Sequence, residues 1–419
     1  MKTHSGRLLT LLTLLHLSNG DTSHQEETLK DQEGAGLCYG VYRQETEALN
    51  IGQHWAGAIP AATKHIDLLQ VTSPASSFEF RTFDPEGVIF YGDTVWGQDW
   101  FMLGLRNGRP EIQVRNTFSP ASVSGCKQIN DGQWHLVSVR SEANNIVLHV
   151  DQAEVFRVWH LSVPLNESTG TILRIAVGGM LANQSNLLVP MNPAMDGCIR
   201  SWNWMNQTKN WLTGPPIKQG VSKHCFAHVH GGSFFSGAGM AIFRSKDLEH
   251  GVLKDWSLTL EMHIRPVKDT GLIFAVADGS SYDRPILSLR LNGQEYNLQV
   301  GSLMETFSTA RMPCEESRLA LVVTKTRITL GRGDLLIGDA NISDHDYQEL
   351  MEAWHNPPGR LFFGSLPKEL EKYDPEPMVF FEGCMRDVMV QGHPLDMDNA
   401  LFKSDSIWAH SCPQNPPSA

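Results

Sequence analysis

A chain of 419 residues, 41% apolar and 19% charged, is long enough for two ordinary cores and too apolar to be disordered. Its formal charge of −12 argues against nucleic acid or heparin as a partner. No H-E-x-x-H, C-x-x-C, G-x-S-x-G or phosphate-cradling glycine motif is present, so nothing argues for an enzyme.

The chain opens with "MKTHSGRLLTLLTLLHLSNG", in which Lys2 and Arg7 precede a ten-residue Leu-rich run and then small residues. That is the pattern of a secretory signal peptide over 1–20, too short to span a bilayer. No other stretch approaches a membrane-spanning length. The mature protein is therefore expected to be secreted and extracellular, with Lys2 and Arg7 removed and its charge moved from −12 to −14. A polar segment follows over 21–59. Four N-glycosylation sequons, at Asn166, Asn183, Asn206 and Asn341, agree with secretion.

From there the chain reads as many short strands, "SFEFRTF", "VIFYGD", "WHLVSVRS", "NIVLHVD" and "LRIAVGG" among them. Turns at Asp84-Pro-Glu-Gly87, Asn107-Gly108, Asn130-Asp-Gly132 and Asn292-Gly293 punctuate them. Helical periodicity is nearly absent, with 345–354 the best exception. "GVIFYGD" returns as "GLIFAVADG", and "DGCIRS" as "EGCMRD". The offsets Gly87 to Gly271 (184), Cys198 to Cys384 (186) and Cys225 to Cys412 (187) nearly agree, which marks a tandem duplication. The expected architecture is all-β: two tandem sandwiches at 60–225 and 235–412, a linker at 226–234 and a tail at 413–419.

Seven cysteines in an oxidising compartment imply disulfides with at least one thiol left over. Cys198–Cys225 and Cys384–Cys412 are separated by 27 and 28 residues, and equal spacing in a duplicated unit predicts those two bonds. Cys38, Cys126 and Cys314 have no such counterpart, and a Cys38–Cys126 pair stays open.

With Asn107-Gly108 as a two-residue turn, facing residues have numbers summing to 215. Leu105 then faces Pro110, Leu103 faces Ile112, Phe101 faces Val114 and Asp99 faces Asn116, all on one side of the sheet. The opposite face, from Trp100, Met102, Arg106, Arg109, Glu111, Gln113 and Arg115, is mostly charged. A one-residue slip would invert the two faces. Asp99 and Asn116 thus sit together at the end of an apolar face. Either the face ends there in water, or the pair marks a slot between the sheets for an elongated apolar ligand bearing a hydroxyl. In the second copy, Pro285 interrupts the equivalent strand, so one site per chain is expected.

The run "SSFEFRTFDPEGVIFYGDT…DWFMLGLRNGRPEIQ" (76–113), with "PAMDGCIR" and "IWAHSCPQ", resembles the sex hormone-binding globulin (androgen-binding protein) family. The resemblance runs from about residue 50 to the C-terminus and is densest in the first copy. It implies two laminin G-like (jelly-roll type) β-sandwiches, with a sex steroid, androgen or oestrogen, held between the sheets of the first. It places Ser76 on the A-ring oxygen and Asp99 with Asn116 on the D-ring hydroxyl. Phe101, Val114, Val139, Ile146, Leu173 and Met205 become walls. Ser141 and Leu173 stand where the family has Met, which bears on the ranking of ligands. The family's zinc-linked histidines fall on Thr117 and Gly170, so that zinc site should be missing. The loop over the pocket matches Pro164–Thr169, which contains the Asn166 sequon. A homodimer through the first domain is also implied.

Asp84-Pro-Glu-Gly87 is first a turn, whose carboxylates Asp84 and Glu86 can also supply oxygens to a hard cation. The resemblance adds the Ala194 carbonyl and a structural calcium. Arg332-Gly333-Asp334 spells an adhesion tripeptide, but a hairpin turn explains it. The rival readings are a laminin G-like adhesion or receptor-ligand module and a carbohydrate-binding sandwich.

Overall fold

Asn107 and Gly108 turn the chain with φ of 52° and 74°. Two successive positive φ values define the type I′ turn, whose twist matches that of the strands it joins. The strands it joins, Trp100–Arg106 and Arg109–Arg115, pair Phe101 with Val114, Leu103 with Ile112 and Leu105 with Pro110. The register expected from the sequence is the observed one.

The computed structural model describes residues 42–52, 59–70, 75–94, 99–116, 120–142, 144–159, 172–204, 224–248, 256–278, 285–309, 316–355, 359–371 and 379–414. Several sequence expectations lie outside them: Met205, Asn166, Asn206, the loop Pro164–Thr169, Thr117, Gly170, Cys38, Cys314 and the segment 1–20. No helix among the described residues is long and apolar enough to cross a membrane.

Two antiparallel sheets face each other in the first sandwich. One orders its strands Ala153–Trp159, Asn145–Val150, His135–Glu142, Ala75–Thr82, Gly197–Trp204 and Leu49–Asn50. The other orders Ala62–Asp67, Ile172–Val177, Gly87–Thr94, Trp100–Arg106, Arg109–Arg115 and Pro120–Ser124. Their inner faces share one core, in which the Phe78 and Phe90 rings meet edge to face at 5.0 Å. The second sandwich, from Ser233 to Trp408, repeats the plan with a sheet centred on Leu258–Pro266 and Glu382–Val390 and another centred on Thr270–Ala277.

The charged face of the first hairpin is covered at its middle, while Arg109 and Arg115 stay exposed. Glu111 and Gln113 are only 3% and 0% exposed, because residues 180–191 fold across them. Met180, Leu187 and Met191 pack on Trp100 and Met102. The Gln113 side chain accepts from Leu188 N at 2.8 Å and donates to Val189 O at 2.8 Å, as a neighbouring strand would. Arg106 holds Glu111 in a two-pronged pair, at 2.6 and 3.1 Å. Buried polar groups need such partners, and here the covering loop supplies them.

The disulfides Cys198–Cys225 and Cys384–Cys412 are both formed. Cys126 is exposed, with a free thiol. Phe226, Phe234, Trp408 and Tyr42 form a small aromatic core between the sandwiches, and Arg81 donates to the Phe226 and Ala227 carbonyls. Arg332-Gly333-Asp334 lies at a hairpin tip, with Arg332 paired to Leu335 and Gly333 at φ 59°.

In the second sandwich, the connection from Leu335–Asn341 to Arg360–Phe363 contains the helix Asp344–His355. Its Tyr347, Leu350, Ala353 and Trp354 are buried in the core. Asp346 accepts from Ser302 N at 2.7 Å, anchoring the helix to the sheet end. In the first sandwich, the corresponding connection, 160–171, lies outside the described residues.

Trp354→Ala should cost about 3–5 kcal/mol, the usual loss for an aromatic removed from a core, measured by denaturant unfolding. The Ser302 amide and Ser343 hydroxyl hold the Asp346 carboxyl below the usual aspartate range. A depressed folded value means the anchor is complete above about pH 4 and is lost as pH falls through that folded value. The stability gap between wild type and Asp346→Asn should therefore narrow as urea midpoints are followed from pH 7 to below pH 4.

Candidate functional site

The chain passes from one sheet to the other through the turn at Asp84, so the start of Ala75–Thr82 and the end of Gly87–Thr94 lie at the far end of the sandwich. The registers gather the expected ligand residues there. Ser76 is paired with Val139 and with Trp204, and Val139 with Leu148. Ile146 lies opposite Ser141, two pairs further toward the sheet's end.

On the facing sheet, Leu173 pairs with Thr94 and with Ile66. Thr94 N donates to Asp99 O at 3.0 Å. Trp100 pairs with Arg115, so the next rung of the ladder holds Asp99 and Asn116. Phe101 pairs with both Val114 and Gly92, and a Cβ on Gly92 would fall 2.3 Å from the Phe101 ring. The ring therefore occupies the place a Cβ on residue 92 would need. A glycine inside a strand often marks such a close approach. Its importance was available in the sequence and is easily missed.

Phe101, Val139, Ile146 and Trp202 point into the apolar interior yet are only partly buried. Leu173 and Val114 are buried, as is Ser76. Among the described residues, Asp99 Oδ1 is buried without a hydrogen-bond partner. A buried acceptor left unpaired typically costs about 1–3 kcal/mol. An apolar face with one such acceptor at its edge suits a ligand that brings a donor.

In the second sandwich the inward positions are Leu291, Leu289 and Leu287, facing Tyr296, Leu298 and Val300. Where the first hairpin has Asp99, the second has Pro285. Ser302, just past the partner strand, is taken by Asp346 of the helix. That end carries no counterpart of the polar pair.

The turn at Asp84 lies at the opposite end of the first sandwich. Asp84 Oδ1 accepts from Glu86 N at 3.0 Å and Oδ2 from Asp196 N at 2.8 Å. Glu86 Oε1 accepts from Asn192 N at 2.8 Å. The Ala194 carbonyl presses on Gly87, whose Cβ would fall 2.1 Å from that oxygen. The turn and the segment 192–196 thus run side by side, with Asp84, Glu86 and the Ala194 carbonyl together at their contact. Asp84 also meets Asp398 and His410 of the second sandwich. That contact spans more than three hundred residues of chain and has no signal in the local sequence. Asn183 and Asn341 are both exposed.

Residues 80–210 match the laminin G domain family. Over 360 residues the chain is 36% identical to sex hormone-binding globulin of Homo sapiens, covering 86% of this chain and 85% of that protein. The chain belongs to the sex hormone-binding globulin family. The Rattus norvegicus globulin is 32% identical over 410 residues, 98% of this chain and 95% of its own. Growth arrest-specific protein 6 of Mus musculus is 29% identical, but only 56% of it is covered. Among solved structures, domains LG4-5 of the mouse laminin α1 chain superpose with a TM-score of 0.66. That match covers 92% of this chain and 99% of that one at 17% identity, so it speaks for the fold. The chain is a pair of laminin G-type sandwiches in a family of binding proteins, not an enzyme.

If Asp99 serves a ligand rather than the fold, truncating it does no harm to the empty protein. Asp99→Ala should leave the ligand-free unfolding midpoint unchanged or raise stability by up to about 1 kcal/mol. A loss of more than about 2 kcal/mol would make Asp99 a structural residue.

Proposed function

We propose that this protein is a secreted carrier that binds sex steroids non-covalently between the sheets of its first sandwich. One observation carries the reading: Asp99 Oδ1, buried and without a hydrogen-bond partner among the described residues, at the end of an apolar intersheet face. A steroid is a rigid apolar body with an oxygen at each end. Ser76 meets the A-ring oxygen, and Asp99 with Asn116 meets the D-ring hydroxyl. Phe101, Val114, Val139, Ile146 and Leu173 form the walls, with Met205 a further contact. Family membership supports this class of ligand. Ser141 and Leu173 leave the ranking of androgens against oestrogens to measurement.

Calcium fits the contact between the Asp84 turn and 192–196, with oxygens from Asp84, Glu86 and the Ala194 carbonyl. It would act as a staple between those segments and take no part in steroid contact. Export fits the two disulfides and the sequons. A homodimer through the first sandwich would use one of its open edges, such as Ala153–Trp159 or Pro120–Ser124.

Equilibrium binding of labelled dihydrotestosterone and oestradiol to the secreted protein tests the reading. Saturable binding near one steroid per chain is expected, weakened by both Asp99→Ala and Ser76→Ala. The Asp99 change should cost about 1–3 kcal/mol for a ligand with the hydroxyl and much less for one without it. Absence of saturable binding by folded, calcium-replete protein would hand the case to an adhesion module.

A further inference from the structure

The strand Gly197–Trp204 carries a bulge that decides which way one tryptophan points. Ser201 has a φ of 53°, and the pairing with Ala75–Thr82 slips between Arg200 and Asn203. Arg200 is paired with Glu79 and Asn203 with Ser77, so Trp202 falls at the level of Phe78, on the inner face. Without the extra residue, strict alternation would put Trp202 on the outer face with Arg200. The indole instead reaches across the sandwich, its ring centroid 4.8 Å from that of Phe90 on the facing sheet and 6.4 Å from that of Phe78. Phe78 and Phe90 are 1% and 0% exposed, whereas Trp202 is only partly buried.

The second sandwich has the same bulge with a different residue on it. Asp387 has a φ of 50°, and the pairing with Leu258–Pro266 slips across it, with Arg386 opposite His263 and Met389 opposite Glu261. Val388 takes the inward place of Trp202 there and is 4% exposed, within the core. The bulge therefore belongs to the module, and the indole to the first copy alone. Its place is next to the ligand end. Trp204 pairs with Ser76, so Trp202 and Ser76 are diagonal neighbours on one face of the sheet.

We propose that Trp202 is a specificity-determining wall of the steroid site, which contacts the A ring and favours ligands in which that ring is aromatic. The inference rests on the carrier reading, in which Ser76 takes the A-ring oxygen. An indole beside a phenolic ring adds an offset or edge-to-face attraction to simple burial, and a saturated ring lacks that addition. Such a pair corresponds to a gain in affinity of about three- to ten-fold. Hydrogen bonds at Ser76, Asp99 and Asn116 read the oxygens, while Trp202 reads the ring that bears one of them.

The test is equilibrium binding of labelled oestradiol and dihydrotestosterone to full-length secreted wild type, Trp202→Val and Trp202→Phe. Trp202→Val matches the second copy at this position and should weaken oestradiol about three- to ten-fold more than dihydrotestosterone. Trp202→Phe retains an aromatic ring and should keep the wild-type ratio of the two affinities. Tryptophan emission gives a second readout. Dihydrotestosterone should shift the emission of wild type, and that shift should be largely lost in Trp202→Phe, which decides the matter should Trp202→Val fail to fold. Saturable binding by wild type with an unchanged ratio in Trp202→Val, or an equal emission shift in wild type and Trp202→Phe, would overturn the proposal and leave the carrier reading standing. No saturable binding by wild type would overturn both.

Discussion

The register of one hairpin decides the character of the first sandwich. Asn107 and Gly108 accept the positive φ values of a type I′ turn, and every pair from Arg106–Arg109 to Trp100–Arg115 follows from that turn. A slip of one residue would put Glu111 and Gln113 beside Leu103 and Leu105 on the intersheet face and turn Ile112 and Val114 outward. In the observed register Glu111 and Gln113 are instead buried on the outer side of the sheet, where residues 180–191 complete their hydrogen bonds. The inner side is left apolar to its last rung, where Asp99 and Asn116 stand.

Duplication of the module did not duplicate that end. The second sandwich has leucines along the inward row and Pro285 at the Asp99 position. It inserts Leu350 and Trp354 of a helix into its core and seals the sheet end through Ser302 and Asp346. The first copy instead has Phe101, Val139 and Ile146 only partly buried, beside an acceptor, Asp99 Oδ1, that has no hydrogen-bond partner among the described residues.

Much of this was legible in the sequence because it rests on local rules. The strand alternation, the turn at Asn107-Gly108, the facing of Asp99 and Asn116 and the two equally spaced disulfides all depend on residues near one another or on comparison of the two copies. What was not legible depends on distant segments meeting. That 180–191 covers Glu111 and Gln113 has no signal in 100–115. The helix 344–355 was visible as a pattern, but its place in the core was not. His410 lies in "IWAHSC", where nothing suggests a neighbour at Asp84, because that contact exists only once both sandwiches have folded and docked.

The balance of forces at the ligand end explains why two or three polar residues matter there more than their number suggests. Burying roughly 400 Å² of apolar steroid surface at about 25 cal/mol/Å² gives on the order of 10 kcal/mol, before the losses of association. That term is nearly the same for any steroid of similar size, so it sets affinity and does little to discriminate. On the proposed reading, discrimination would fall to Ser76 at one end and to Asp99 with Asn116 at the other. An acceptor that stays buried whether or not a ligand arrives penalises every guest that fails to bring it a proton. Among the described residues Asp99 Oδ1 has no hydrogen-bond partner, so on the proposed reading the penalty precedes binding and a matched hydroxyl would relieve it. Specificity in such a site would be built into the fold itself.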